Sequence, residues 1–168
     1  MKLRFQKVRP DLELPDGRVL PVIPSYGRPG DAGLDLTAMT MVGAPGDPDL
    51  VKMDFGVAVE IPEGHVGLIF PRSSIFTKDL EQTNSVGVID SGYRGEISII
   101  FRKTRPPGWA GGHRLYDVGD RVAQMVVVPI PVMEPEWADE LSDAERGVRG
   151  FGSTGVSSAG SRADTAGV

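Results

Sequence analysis

Residues 51–61 read VKMDFGVAVEI, and their alternation decides the fold class. Val51, Met53, Phe55, Val57, Val59 and Ile61 fall on one face, while Lys52, Asp54 and Glu60 fall on the other. A period of two is that of a half-buried strand and not of a helix. The same alternation sets Val66, Leu68 and Phe70 together in HVGLIF, and Ile97, Ile99 and Phe101 together in EISIIF. The run RVAQMVVVPI at 121–130 is apolar on both faces, which predicts a strand buried on both sides. Turn signals separate these runs: Pro62-Glu63-Gly64, Asp90-Ser91-Gly92, Pro106-Pro107-Gly108, Gly111-Gly112 and Gly119-Asp120. Many short strands at this spacing predict an all-β sandwich or jelly-roll barrel.

Composition agrees. A chain of 168 residues is one domain in size, and its 22 glycines and 14 prolines favour turns over long helices. The lack of cysteine excludes disulfides and thiolate zinc sites, and His65 and His113 lack metal-ligand spacing. A net charge of −5 with scattered basic residues argues against a nucleic-acid surface, though not against a small anion. No run suits a signal peptide or a membrane span, so a soluble, cytoplasmic protein is expected. PEWADELSDAER at 135–146 is the one stretch expected to form a helical turn or two. Past Gly147 the composition shifts to Gly, Ser, Thr and Ala, which divides the chain into a β-domain at 1–146 and a flexible arm and tail at 147–168.

Four segments carry candidate chemistry. In DAGLDLTA (31–38), Asp31 and Asp35 flank a glycine at the start of an apolar strand, as a turn or a carboxylate site would. In FPRSSIF (70–76), Arg72, Ser73 and Ser74 supply a planar cation, hydroxyls and backbone N–H groups suited to phosphate. TNSVGVIDSGYRGEI (83–97) reads as a hairpin whose backbone can bond a flat ligand, with Asp90 beside apolar Ile89 as a candidate base or a simple turn aspartate. RGVRGFGSTG (146–155) is rich in glycine and arginine like a phosphate loop, yet it lacks the Lys-Ser/Thr ending of a Walker motif. Gln124, alone among apolar residues in RVAQMVVV, needs a hydrogen-bond partner if buried.

In this order the segments resemble the five motifs of the trimeric dUTP pyrophosphatases (dUTPases): DAGLDLTA, PRSS, TNSVGVIDSGYRGEI, GDRVAQMVVV and ERGVRGFGSTG. The resemblance spans about 31–155 and implies a jelly-roll homotrimer whose three active sites each draw on neighbouring chains. It implies hydrolysis of dUTP to dUMP and pyrophosphate, which limits uracil in DNA and supplies dUMP for dTTP synthesis. By position, Asp90 would activate the attacking water, and Asn84, Gly87 and Ile89 would read uracil and the sugar 3′-hydroxyl. Tyr93 would exclude a ribose. Arg72, Ser73, Ser74 and Gln124 would hold the phosphates, with Asp35 reaching a Mg²⁺ through water. Arg146, Gly152, Ser153 and Thr154 would close on the γ-phosphate, and Phe151 would stack on the base.

The chain departs from the common pattern at Ser74, where many relatives carry glycine, and in the long loop 103–120 around Trp109. Two rivals follow from the same residues. A dCTP deaminase of this fold needs a proton-shuttling glutamate, where this chain has Ile100. A trimeric binding or regulatory module without catalysis would not need the intact set of catalytic residue types.

Overall fold

The computed structural model describes residues 2–44, 46–106, 108–144 and 147–148. The chain divides into two units, Met1–Val132 and Met133–Val168, and the second contains no helix or strand among its described residues. The expected helical turn at 135–146 is therefore absent over 135–144. Glu136, Asp139, Glu140 and Asp143 stand three or four residues apart, so a helix would line up like charges without repaying its costly first turn.

The first unit is built of short antiparallel strands. They are β1 (Arg4–Lys7), β2 (Leu12–Glu13), β3 (Val19–Leu20), β4 (Ser25–Tyr26), β5 (Leu34–Thr37), β6 (Thr40–Ala44) and β7 (Asp47–Asp54). They continue with β8 (Val57–Glu60), β9 (His65–Pro71), β10 (Leu80–Gln82), β11 (Gly87–Ile89), β12 (Ser98–Lys103) and β13 (Arg121–Pro129). A single 3₁₀ turn, Ser73–Thr77, follows β9. The two main sheets run β10-β12-β7-β6 and β11-β9-β13-β5-β4, with ribbons β1-β8 and β2-β3 beside them. This is the expected all-β, jelly-roll architecture. Among the described residues, no helix is long and apolar enough to cross a membrane.

The core lies between the two sheets. Leu34, Leu36, Ile69, Ala123 and Met125 from one meet Val51, Met53, Leu80, Ile99 and Phe101 from the other. Full burial of each larger side chain contributes roughly 1.5–3 kcal/mol, so this layer dominates the folding energy.

Three expectations are refined by the sheets. The run 51–61 is two strands rather than one, although all six predicted residues are buried. The chain bends at Gly56, whose φ of +68° suits glycine, so β7 pairs with β12 and β8 with β1. Asp54, assigned to the polar face, is also buried, accepting hydrogen bonds from Arg9, Thr40 and Ser98 and an ion pair from Lys52. Burial alone would raise its carboxyl, but these donors outweigh that and hold it below the usual carboxylate range.

The segment 83–97 does not form a hairpin on itself. Its strand β11 pairs with β9, at the edge of the five-stranded sheet, while β10 just before it pairs with β12 in the other sheet. Finally, β13 is not buried on both sides within one chain. Val122, Ala123 and Met125 are buried, whereas Gln124, Val126, Val127 and Val128 are only half-buried. Cross-strand register puts Gln124, Val126 and Val128 opposite Phe70, Leu68 and Val66, so these six share the sheet face turned away from Ile69 and Met125.

Candidate active site

The first half of the site is a cleft of about 730 Å³ at the β5, β9 and β13 ends, lined by Arg28, Asp31, Asp35, Arg72, Ser73, Arg121 and Gln124 among others. Asp35 lies at its centre. One carboxylate oxygen pairs with Arg72 Nε at 2.8 Å and the other with Arg121 Nη1 at 2.9 Å. The two guanidiniums are thereby fixed while most of their donors stay available for an anion. Asp31 accepts from the Arg28 backbone N–H at 2.8 Å and closes the turn that leads into β5. Gln124 stands directly opposite Asp35 in the ladder. Its side chain lies across Gly33, where an added Cβ would come within 2.6 Å of Gln124 Oε1 and 3.1 Å of Gln124 Cβ. The glycine of DAGLDLTA thus leaves the room that the Gln124 side chain occupies.

Arg121 was not among the residues singled out from the sequence. It is three positions before Gln124, and strict alternation would place it on the opposite face. A register shift between Arg121 and Ala123 returns it to the face of Asp35.

Ser73 lines the cleft, but Ser74 does not. The Ser74 hydroxyl is 3.0 Å from the buried Tyr116 hydroxyl, leaving its backbone N–H as the group able to serve a phosphate. Tyr116 belongs to the loop 103–120, which is stapled to the segment after the 3₁₀ turn. Lys78 Nζ donates to the Leu115 carbonyl at 2.7 Å, and the Asp79 carboxylate accepts from the Arg114 backbone and guanidinium and from Arg105. The Arg114 side-chain and backbone donors, helped by Arg105, hold the Asp79 carboxyl far below the usual carboxylate range. Trp109 packs locally, with the Arg105 guanidinium 4.9 Å from its ring centre.

The second half is a pocket of about 290 Å³ lined by Ile69, Gln82, Thr83, Asn84, Gly87, Ser98, Ile99 and Ile100. β11 is the last strand of its sheet, so backbone N–H and C=O groups on its free edge can meet a flat ligand. Asp90 follows directly, exposed, with its carbonyl accepting from the Tyr93 N–H at 3.1 Å. The Tyr93 ring folds over Gly95, leaving no space there for a Cβ, and its hydroxyl donates to the Glu96 carbonyl at 3.0 Å. The position that a deaminase would fill with glutamate is Ile100, on the wall of this pocket. Glu96 is committed elsewhere, accepting from Arg9 at 2.6 and 2.7 Å and from the Gly56 N–H at 2.9 Å.

One chain does not unite the halves. β11 and β5 are separated by β9 and β13, about 14 Å across the sheet, and Ile89 lies level with Val127, three residues or about 10 Å along β13 from Gln124. Asp90 and Asn84 are absent from the cleft that holds Asp35, Arg72 and Gln124. Arg146, Phe151, Gly152, Ser153 and Thr154 lie outside the described residues.

The chain is similar in sequence and fold to known proteins. The dUTPase family model matches residues 21–155. The deoxyuridine 5′-triphosphate nucleotidohydrolase of Cutibacterium acnes is 42% identical over 149 residues, covering 88% of this chain and 94% of that protein. The corresponding protein of Thermobifida fusca is 38% identical over 162 residues, covering 95% and 82%. A variant dUTPase of Staphylococcus bacteriophage 80alpha, solved with dUpNHpp, superposes with a TM-score of 0.72 at 27% identity, covering 92% of this chain and 99% of that one. A variant dUTPase of phage phi11, solved with a structural Mg(II) ion, superposes with a TM-score of 0.62 at 27% identity, covering 83% and 98%. With the family match running through all five motif segments, this chain belongs to the dUTPase family.

Proposed function

We infer that the protein hydrolyses dUTP to dUMP and pyrophosphate, at a site assembled from more than one chain. The observation that carries this is the division of the site: an arginine-lined anion cleft on one side, and on the other a base-sized pocket bordered by β11, the strand that Asp90 directly follows. Each is incomplete alone, and the distance between them exceeds the reach of any side chain. A second copy supplies the missing half, as a homotrimer with three shared sites would. The outer face of the five-stranded sheet supports that assembly, since Leu68, Phe70, Val126 and Val128 form an apolar, half-buried layer there.

In this reading Asp90 takes a proton from a water as its oxygen attacks the α-phosphorus. The bond to the α,β-bridging oxygen breaks, and pyrophosphate leaves. A carboxylate is a weak base, but one oriented water is enough. Arg72, Ser73, the Ser74 N–H and Gln124 hold the phosphates, and Asp35 keeps Arg72 and Arg121 aimed at them. Asn84 and the backbone at Gly87 and Ile89 read uracil, and Tyr93 excludes a ribose 2′-hydroxyl. By their place in the fifth motif, Arg146, Gly152, Ser153 and Thr154 are assigned to the γ-phosphate and Phe151 to the base.

The donor set fits magnesium. Asp35 uses one oxygen on each arginine and keeps lone pairs for an ordered water, so it suits contact with the ion through that water. No cage of three acidic or histidine side chains occurs among the described residues, and Asp35 is the residue that would hold the ion, through water. When bound, Mg²⁺ neutralises phosphate charge and draws the triphosphate into one conformation.

The test is pyrophosphate release with Mg²⁺ and dUTP, dTTP, dCTP or UTP. We expect strong preference for dUTP and a loss of at least about a hundredfold in kcat for Asp90→Asn with dUTP binding retained. Near-normal turnover by that variant overturns the assignment of the base.

A further inference from the structure

Resting on the reading of the 290 Å³ pocket as the uracil site, we propose that Gln82 is a positioning residue that sets which end of the Asn84 amide faces the base, and thereby rejects cytosine. Gln82 ends β10, opposite Phe101, and its Nε2 makes two hydrogen bonds. One runs to the Ile69 backbone carbonyl at 3.3 Å, the other to Asn84 Oδ1 at 2.9 Å.

The polarity of this relay follows from its first member. A backbone carbonyl only accepts, so the Gln82 atom beside it must be the nitrogen. That nitrogen only donates, so the Asn84 atom beside it must be the oxygen. Asn84 Nδ2 is then turned the other way, toward Gly87, where an added Cβ would lie 3.9 Å from it. The other end of the Gln82 amide fits this orientation. Gln82 Oε1 is buried without a hydrogen-bond partner among the described residues, a cost that turning the amide over would exchange for a clash of two oxygens at Ile69.

The pocket therefore presents N–H donors at Asn84. Uracil carries an acceptor at its 4-carbonyl, and cytosine carries a donor amino group at the same atom. Donor facing donor is repulsive and leaves buried groups unpaired, which is how a hydrogen-bonding site discriminates near-isosteres. Because one of the two Gln82 contacts is to the Ile69 backbone, the relay is rigid where a free asparagine could rotate to suit either base.

Two variants test this with dUTP as substrate and dCTP as competitor. Gln82→Leu releases Asn84 and should raise the KM for dUTP about tenfold, with kcat falling less than KM rises. Gln82→Glu is nearly isosteric but cannot donate, and its carboxylate attracts Asn84 Nδ2. The asparagine then offers Oδ1 to the base, and the ratio of the dCTP inhibition constant to the dUTP KM should fall by about tenfold or more. Should Gln82→Leu fail to fold, judged by thermal unfolding, Gln82→Glu carries the test alone. Asn84→Ala separates the two levels of the reading. If it collapses the same ratio while both folded Gln82 variants keep the wild-type value, the relay is wrong and the uracil pocket stands. If Asn84→Ala also leaves the ratio unchanged, both readings fall.

Discussion

Gly33 and Gln124 show how far a single position reaches into the site. The Gln124 side chain lies on the bare Cα of Gly33, next to the doubly paired carboxylate of Asp35. Gly33→Ala must push the carboxamide aside without opening a cavity or burying a charge. We expect a stability loss of about 1 kcal/mol or less, but a fall of about tenfold in kcat/KM for dUTP. Steady-state kinetics alongside thermal unfolding separates the two. A variant with unchanged kcat/KM shows that Gln124 does not hold a phosphate. The sequence announced Gln124 as a polar residue in an apolar strand, and the glycine of the first motif, three motifs earlier, as part of a turn. That the two touch was not readable, because it depends on the pairing of β13 with β5.

At the scale of elements, the loop 103–120 is anchored through Asp79 and Tyr116 rather than left as a free insertion. Asp79 is almost wholly buried, and donors from Arg114 and Arg105 hold its carboxyl far below the ordinary value. A depressed carboxyl contributes stability that is fully present above its unfolded pKa of about 3.9 and is lost as pH falls through the folded value. Wild-type protein should therefore lose thermal stability steeply between about pH 4 and the lowest pH at which it stays soluble. Asp79→Asn should be less stable at neutral pH and show a flatter decline across that acid range. Parallel melting curves for the two proteins from pH 7 downward check this, and equal slopes below pH 4 argue against Asp79 as the source. Alternation placed most of the strands, but not their partners. The run 51–61 was legible as buried every second residue, yet its division between two sheets was not, since the bend at Gly56 leaves the parity of the flanking residues intact.

For the whole molecule, the decisive feature is that the arginine cleft and the pocket beside β11 lie apart on one chain, whereas the proposed reaction needs both. Asp90→Asn leaves the anion cleft intact, and Arg72→Ala leaves the base pocket and its carboxylate intact. Each variant alone should be nearly inactive. After co-refolding at equal amounts, a site drawing Asp90 from one chain and Arg72 from another is wholly wild-type in about one case in four, so about a quarter of wild-type activity should return. Failure of any activity to return, with mixed assemblies demonstrated by size and tagging, means that both residues act from one chain.

The sequence by itself determined the β architecture and the chemical parts, because side-chain parity and turn chemistry are local. Asp35, Arg72, Ser73 and Asp90 were legible as polar or charged groups beside turns and strand starts, and Gln124 as the polar residue of an apolar strand, while Asn84 and Tyr93 took their roles from the resemblance to the family motifs. Arg121 and Gln82 were not. Arg121 joins Asp35 only because a bulge before Ala123 reverses its parity, and Gln82, two residues from Asn84 in the chain, reaches the Ile69 carbonyl only where the fold brings β10 beside β9. Which sheet a strand joins, and where its register slips, are settled by the competition of all strands for partners and for one core. That competition is long-range, and no stretch of eleven residues contains it.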